Sequence, residues 1–181
     1  MNFYGAKDLA RQFRVVRANT IKIAEEIPED KYSFKPAESS RTVAQTLAHI
    51  GTVHMFNMKL HGEDKATTLL GYNFMEVMGG IQAEEQKPRT KAELIAMLKD
   101  SGEKFAAFVE PLKDEDVAEM VEMPPGGDPP KSRFEMLMAV KEQEMHHRGQ
   151  LMVMMRMLGM VPPGTRAQQE RMAAMAAAQK K

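Results

Sequence analysis

SRFEMLMAVKEQEMHHRGQLMVMMRML, residues 132–158, is the stretch on which the fold turns. Ser132 and Glu135 have the spacing of a capping box, in which two side chains satisfy free N–H groups of a helix's first turn. No proline interrupts the run until Gly159 and the pair Pro162-Pro163 close it. At about 100° per residue, Phe134, Leu137, Met138, Met145, Leu151, Met152, Met155 and Leu158 gather on one broad side. His147 lies on its flank, on a ridge with Leu151 and Met154, and His146 falls nearly opposite. Glu144 and Arg148 sit within the apolar side, one turn apart, where opposite charges at i and i+4 can neutralise each other.

Three more segments read as long helices. The first runs from Tyr4 to Ile27, with Leu9, Phe13, Val16, Ile21 and Ile23 on its apolar side, and Pro28 ends it. A polar linker with Tyr32 and Phe34 follows. The second opens at Thr42, boxed with Gln45, and runs to His61 before Gly62. Residues 62–87 are less regular, with a short helix expected from Phe74 to Met78 and ended by Gly79-Gly80. Thr90 and Glu93 open another helix carrying Leu94, Ile95, Leu98, Phe105, Phe108 and Val109, closed by Pro111. Met123–Ser132, with four prolines and two glycines, reads as a stiff turn. No segment reads as a strand. The expectation is an all-α four-helix bundle with long connections over residues 1–163, and an Ala-rich, helical or frayed tail over 164–181.

Composition narrows the chemistry. Twenty-five basic residues balance 25 acidic ones, which removes the usual electrostatic case for a nucleic-acid partner. The absence of cysteine excludes disulfides, thiol nucleophiles and cysteine-ligated clusters. No apolar run approaches a membrane span, and MNFYGAKDLARQ lacks a signal-peptide core, so no membrane association and a cytoplasmic location are expected. Eighteen methionines suggest two readings. Met152, Met154, Met155 and Met157 are candidate soft ligands for copper, but Met occurs throughout the other helices, and a flexible core filler is the better account. No phosphate-binding glycine loop, nucleophile elbow, HExxH or EF-hand loop is present.

The remaining chemistry lies in histidines. His49 falls near the apolar side of the second helix, marked by Val43, Leu47, Ile50 and Val53, whereas His54 and His61 lie nearer its polar end, where exposure is the default. His49 projecting into a bundle core opposite His147 would resemble a helix-bundle metal site. The ordinary alternative is a pair of hydrogen-bonded core histidines.

The run MHHRGQLMVMMRMLG resembles the final-helix signature of the DinB/YfiT-like superfamily of metal-dependent enzymes, and RTVAQTLAHI resembles the start of that family's second helix. The linker DKYSFKPAESSRT and the KSRFE that opens the last helix are also similar. The resemblance implies an up-down-down-up bundle with three histidines around a divalent metal, zinc or nickel. One would come from the second helix and two from the last, spaced four apart. On this chain those positions are His49, His147 and Gln143, so a glutamine stands where the family has a histidine. Three arrangements follow: Gln143 coordinates weakly or through water, Glu144 supplies a carboxylate instead, or the site holds no metal. The resemblance further implies hydrolysis or transfer of low-molecular-weight thiols, acting on a small-molecule substrate. Glu144 would then be a ligand or base, and Arg148 would hold Glu144 or an anionic substrate. It also implies a homodimer. The alternative class is a non-catalytic bundle that binds a small ligand or a partner, with a degenerate metal site.

Overall fold

The computed structural model describes residues 4–179. Helix α1 spans Ala6–Glu26 and stops where Ile27, the residue before Pro28, turns extended. Helix α2 spans Val43–Thr52; the Thr42 hydroxyl accepts the Gln45 N–H, and the Gln45 side chain accepts the Thr42 N–H. Helix α5, Lys91–Val109, opens with the same exchange between Thr90 and Glu93. Helix α7, Arg133–Met157, is capped by Ser132, which accepts the Glu135 N–H at 3.2 Å; the return bond from the Glu135 carboxylate is not made.

The expected second helix is broken into pieces. After α2 the chain turns at Val53-His54, re-forms as α3, Met55–Met58, and widens into a π turn over Lys59–Glu63. Gly62 sits in that π turn against α5, where a Cβ would lie 3.1 Å from the Phe108 ring, so the close approach favours glycine. The expected stop at Gly79-Gly80 does not occur. Helix α4 runs from Phe74 through both glycines to Glu85, capped by Asn73 and packed against α2 and α3, so tertiary contact outweighs the low helix propensity of glycine. The chain is not wholly strand-free either. After the short helix α6, Asp114–Ala118, the pair β1, Met120–Val121, and β2, Lys131–Ser132, zips antiparallel. The proline-rich turn joins the two strands. The tail forms helix α8, Pro163–Ala178, tied to α1 by Arg166 to Glu26 at 2.7 Å; residues 180 and 181 of the expected tail lie outside the described region.

Cross-links fix the helix directions. Tyr4, just before α1, lies against Phe134 and Lys141 at the start of α7, so α1 and α7 run parallel. The Lys91 ammonium at the start of α5 binds the carbonyls of Glu25 and Ile27 at the end of α1, so α5 runs antiparallel to α1. The Ala44 N–H meets the Tyr32 carbonyl just past α1, and Gly62 meets Phe108 near the end of α5, so α2 runs down beside α5. The bundle is up-down-down-up. Two consecutive parallel helices need a long return, and α4 lies on that return.

Two apolar clusters fill the bundle. One gathers Ile23, Leu47, Leu94, Leu98, Leu151 and Met155; the other gathers Leu9, Phe13, Phe105, Val109, Leu137 and Val140. Between them lies a buried polar layer of Arg17, Thr20, Ser101 and Glu144. Glu144 was expected to pair with Arg148 along its own helix, but it pairs with Arg17 across the bundle at 2.9 Å, both being fully or almost fully buried. An arginine on α1 reaches the bundle axis, whereas Arg148 lies on the side of α7 nearest α1 and donates to the Val16 carbonyl at 3.4 Å. Met145, expected on the apolar side, faces outward at 45% exposure.

Candidate metal centre

His49 is carried by α2, and the return helix α4 brings Glu85 against it. The carboxylate Oε2 lies 2.8 Å from His49 Nδ1. A carboxylate only accepts, so Nδ1 carries a proton, and Nε2 is the ring atom left for any other partner. Arg41, just before the α2 cap, lies 3.4 Å from the other Glu85 oxygen. His147 is buried on α7, its ring centre 4.5 Å from that of His49, with the planes nearly perpendicular. Its Nδ1 lies 2.9 Å from Gln150 Oε1, and Gln150 Nε2 in turn donates to His146 Nε2 at 3.1 Å. One glutamine side chain therefore bridges the two adjacent histidines. Burial lowers the pKa of His147, offset in part by the Gln150 bond, so the neutral imidazole is favoured.

The other expected site residues fall elsewhere. Gln143 is exposed, one turn before His147, and forms no hydrogen bond with either histidine. Glu144 is fully buried, and both its oxygens lie about 3 Å from Arg17 Nε, at 2.9 and 3.0 Å. Arg148 is half-buried against α1. His54 and His61, expected to be exposed, are both buried. His54 packs near Phe105, and His61 Nδ1 accepts from Arg133 at 3.4 Å. The chain's break and π turn swing this segment inward. Glu85 was missed because Gly79-Gly80 read as the end of its helix, and Gln150 because it lies beyond the expected ligand pair.

The donor set meets the demands of a divalent transition metal in part. Two imidazoles sit side by side, and each has its Nδ1–H taken by an acceptor, the outer-shell arrangement that orients metal-binding histidines. Among the described residues, no group of three histidine, cysteine, aspartate or glutamate side chains is arranged to hold an ion. The set fits two ligands of an open site, not a closed three-histidine centre. A cleft of about 490 Å³ opens beside the pair, lined by Ser39, Ser40, Arg41, Gln45, Glu85 and Arg89 among others.

The class to which a bundle of this direction pattern belongs is identified by the family comparison. The DinB family model matches residues 2–180, and the chain belongs to that family. It is 25% identical to the uncharacterized protein YjoA of Bacillus subtilis over 155 residues, covering 85% of this chain and 91% of YjoA. The crystal structure of YjoA superposes with a TM-score of 0.60 at 24% identity, covering 83% of this chain and 92% of that one. YfiT from Bacillus subtilis, described as "a probable metal-dependent hydrolase with an unusual four-helix bundle topology", gives a TM-score of 0.65 at 14% identity over 88% of this chain and 91% of that one. A DinB-like protein from Bacillus cereus gives 0.65 at 18% identity, over 86% of this chain and 94% of that one. Among the described residues, no helix is long and apolar enough to cross a membrane.

Proposed function

We propose that this chain binds a divalent transition metal, zinc or nickel, between His49 and His147 and acts on a small molecule by hydrolysis or thiol transfer. One observation carries the reading: Glu85 and Gln150 each accept the Nδ1–H of one of the two neighbouring histidines, so that Nε2 is the atom each ring would offer to a metal. The description of YfiT as a probable metal-dependent hydrolase supports the same chemistry.

A metal held there supplies Lewis-acid activation of water or of a substrate thiol. The chain's own residues do the rest. Glu85 fixes the tautomer and direction of His49, and Gln150 does the same for His147. Arg41, at the edge of the cleft and beside Glu85, offers a cation to an acidic group of a substrate. In this reading Glu144 and Arg148 belong to the frame: Glu144 is engaged by Arg17, and Arg148 by a backbone carbonyl. Gln143, exposed one turn before His147, would offer a weaker amide-oxygen ligand, directly or through water.

Isothermal titration of the metal-stripped protein with zinc and nickel tests the proposal. One equivalent should bind, and His49→Ala or His147→Ala should each weaken binding by at least about tenfold. If no ion binds, or if both variants bind as the native chain does, the metal reading falls. The chain would then be a non-catalytic member of the fold, the reading favoured by the absence of a third ligand.

A further inference from the structure

Between α3 with its π turn and the return helix α4 lies another cavity, of about 650 Å³, the size of a small-molecule site. Its wall is apolar: Met55 and Met58 from α3, Val77 and Ile81 from α4, and the ring of Tyr72 from the loop between them. Gly80 completes that wall. Glycine is a poor residue in mid-helix, and a Cβ on Gly80 would meet nothing within 4 Å. No packing inside the chain therefore calls for it, and what the missing side chain leaves is room in the cavity. The adjacent Gly79 points about 100° away and lines none of it. At the mouth stand Glu63, Asp64, Glu76 and Lys59, three carboxylates against one ammonium. Lys59 is engaged with two of them, 3.0 Å from Asp64 and 3.6 Å from Glu63. The Tyr72 hydroxyl also donates to Asp64, at 2.6 Å. Among the described residues Glu76 has no ion-pair partner, and its carboxylate receives only the Asn73 side-chain amide.

We propose that this cavity binds a small amphipathic amine, its ammonium on Glu76 and its apolar body over Gly80, between α4 and the methionines of α3. Glu76 and Gly80 lie on the same face of α4, one turn or about 5.4 Å apart along the axis. A ligand with a short spacer between its cation and its apolar body therefore reaches both. The methionines, flexible and polarizable, adapt to the shape of that body. Charge selects the ammonium: a carboxylate of the same shape would meet three like charges, with the one cation already engaged. The proposal does not rest on the metal reading, since neither His49 nor His147 lines this cavity.

Isothermal titration of the whole chain with phenethylammonium, and with hydrocinnamate as the matched carboxylate, tests it. One equivalent of the amine should bind, less tightly as salt rises, and the carboxylate should bind at least about tenfold more weakly. Gly80→Leu fills the cavity and should abolish amine binding, whereas Gly79→Leu should bind as the native chain does. Each replaces a glycine in mid-helix with a better helix former, so neither should lower the melting temperature, and lost binding cannot be ascribed to a lost fold. Glu76→Gln should weaken the amine about threefold or more and remove most of the salt dependence. A native chain that binds no amine overturns the proposal, as does one that takes the carboxylate equally well. So does a Gly80→Leu chain that binds as the native one, or an affinity indifferent to Glu76→Gln.

Discussion

Arg17 and Glu144 meet at the middle of the bundle, Nε lying 2.9 Å from Oε1, with side chains 4% and 0% exposed. The same guanidinium donates to the Leu98 carbonyl and the Ser101 hydroxyl on α5, both at 2.7 Å, and to the Ile50 carbonyl on α2 at 3.3 Å. One side chain thus ties α1 to each of the other three bundle helices. Desolvation pushes the Glu144 carboxyl up, and the neighbouring Arg17 charge opposes that shift. Removing one partner strands the other. Arg17→Met or Glu144→Leu alone should cost about 3–5 kcal/mol in urea unfolding, while the double substitution should cost less than either. Additive losses would show that the two charges do not act as a pair.

Two glycines make a sharper test of the same layer. A Cβ on Gly102 would lie 2.6 Å from Arg17 Cγ, and Arg17 is held in place by its five hydrogen bonds to Glu144, Leu98, Ser101 and Ile50. A Cβ on Gly51 would lie 2.8 Å from Met97 Cε, the free end of a flexible chain. Gly102→Ala should therefore destabilise by roughly 2–4 kcal/mol, as expected for overpacking against a fixed network, and Gly51→Ala by less than about 1 kcal/mol. Equal thermal shifts for the two variants would contradict the rigidity assigned to Arg17.

Acid should weaken the fold through His54 and His61. Both are buried, and His54 Nδ1 and His61 Nε2 have no hydrogen-bond partner. Burial, reinforced by Arg17 at His54 and by Arg133 at His61, pushes each pKa from 6.5 down to about 4. Above pH 6.5 both are neutral in either state and the stability is fully present. As pH falls toward 4 the unfolded chain takes up protons that the folded chain refuses, so stability declines by roughly 1.4 kcal/mol per pH unit for each histidine. Below about 4 the folded chain also protonates and this loss levels off. Urea unfolding of native protein and of His54→Gln/His61→Gln at several pH values should give a steeper acid decline for the native chain. Parallel curves would refute the assignment.

The capped helix starts were legible in the sequence because Thr42 with Gln45 and Thr90 with Glu93 act locally, and the structure makes both exchanges. The partner of Glu144 was not legible: periodicity places it on the inner side of α7 but says nothing of an arginine 127 residues away. Glu85 was hidden because a glycine pair reads as a stop unless one knows that the segment packs on α2 and α3. Met145 was placed on the wrong side because methionine fits both a core and an exposed contact, so its presence carries little directional information. His54 and His61 were misplaced because a π turn rotates the segment in a way no apolar pattern announces.

The most direct test of how His49 and His147 work together is to supply the ligand the chain lacks. Gln143 is exposed, one turn before His147, so a histidine there would share the ridge of His147. Gln143→His adds an imidazole without disturbing a hydrogen bond to either existing histidine. If both Nε2 atoms address one ion, a third imidazole should tighten zinc binding by about a hundredfold or more in a chelator competition. Glu85→Gln in the same background should give back roughly tenfold, because an amide holds the Nδ1–H less strongly than a carboxylate. An affinity unchanged by Gln143→His would mean that the two histidines do not address a common ion. A loss on Glu85→Gln without a gain on Gln143→His would confine the metal to His49 alone.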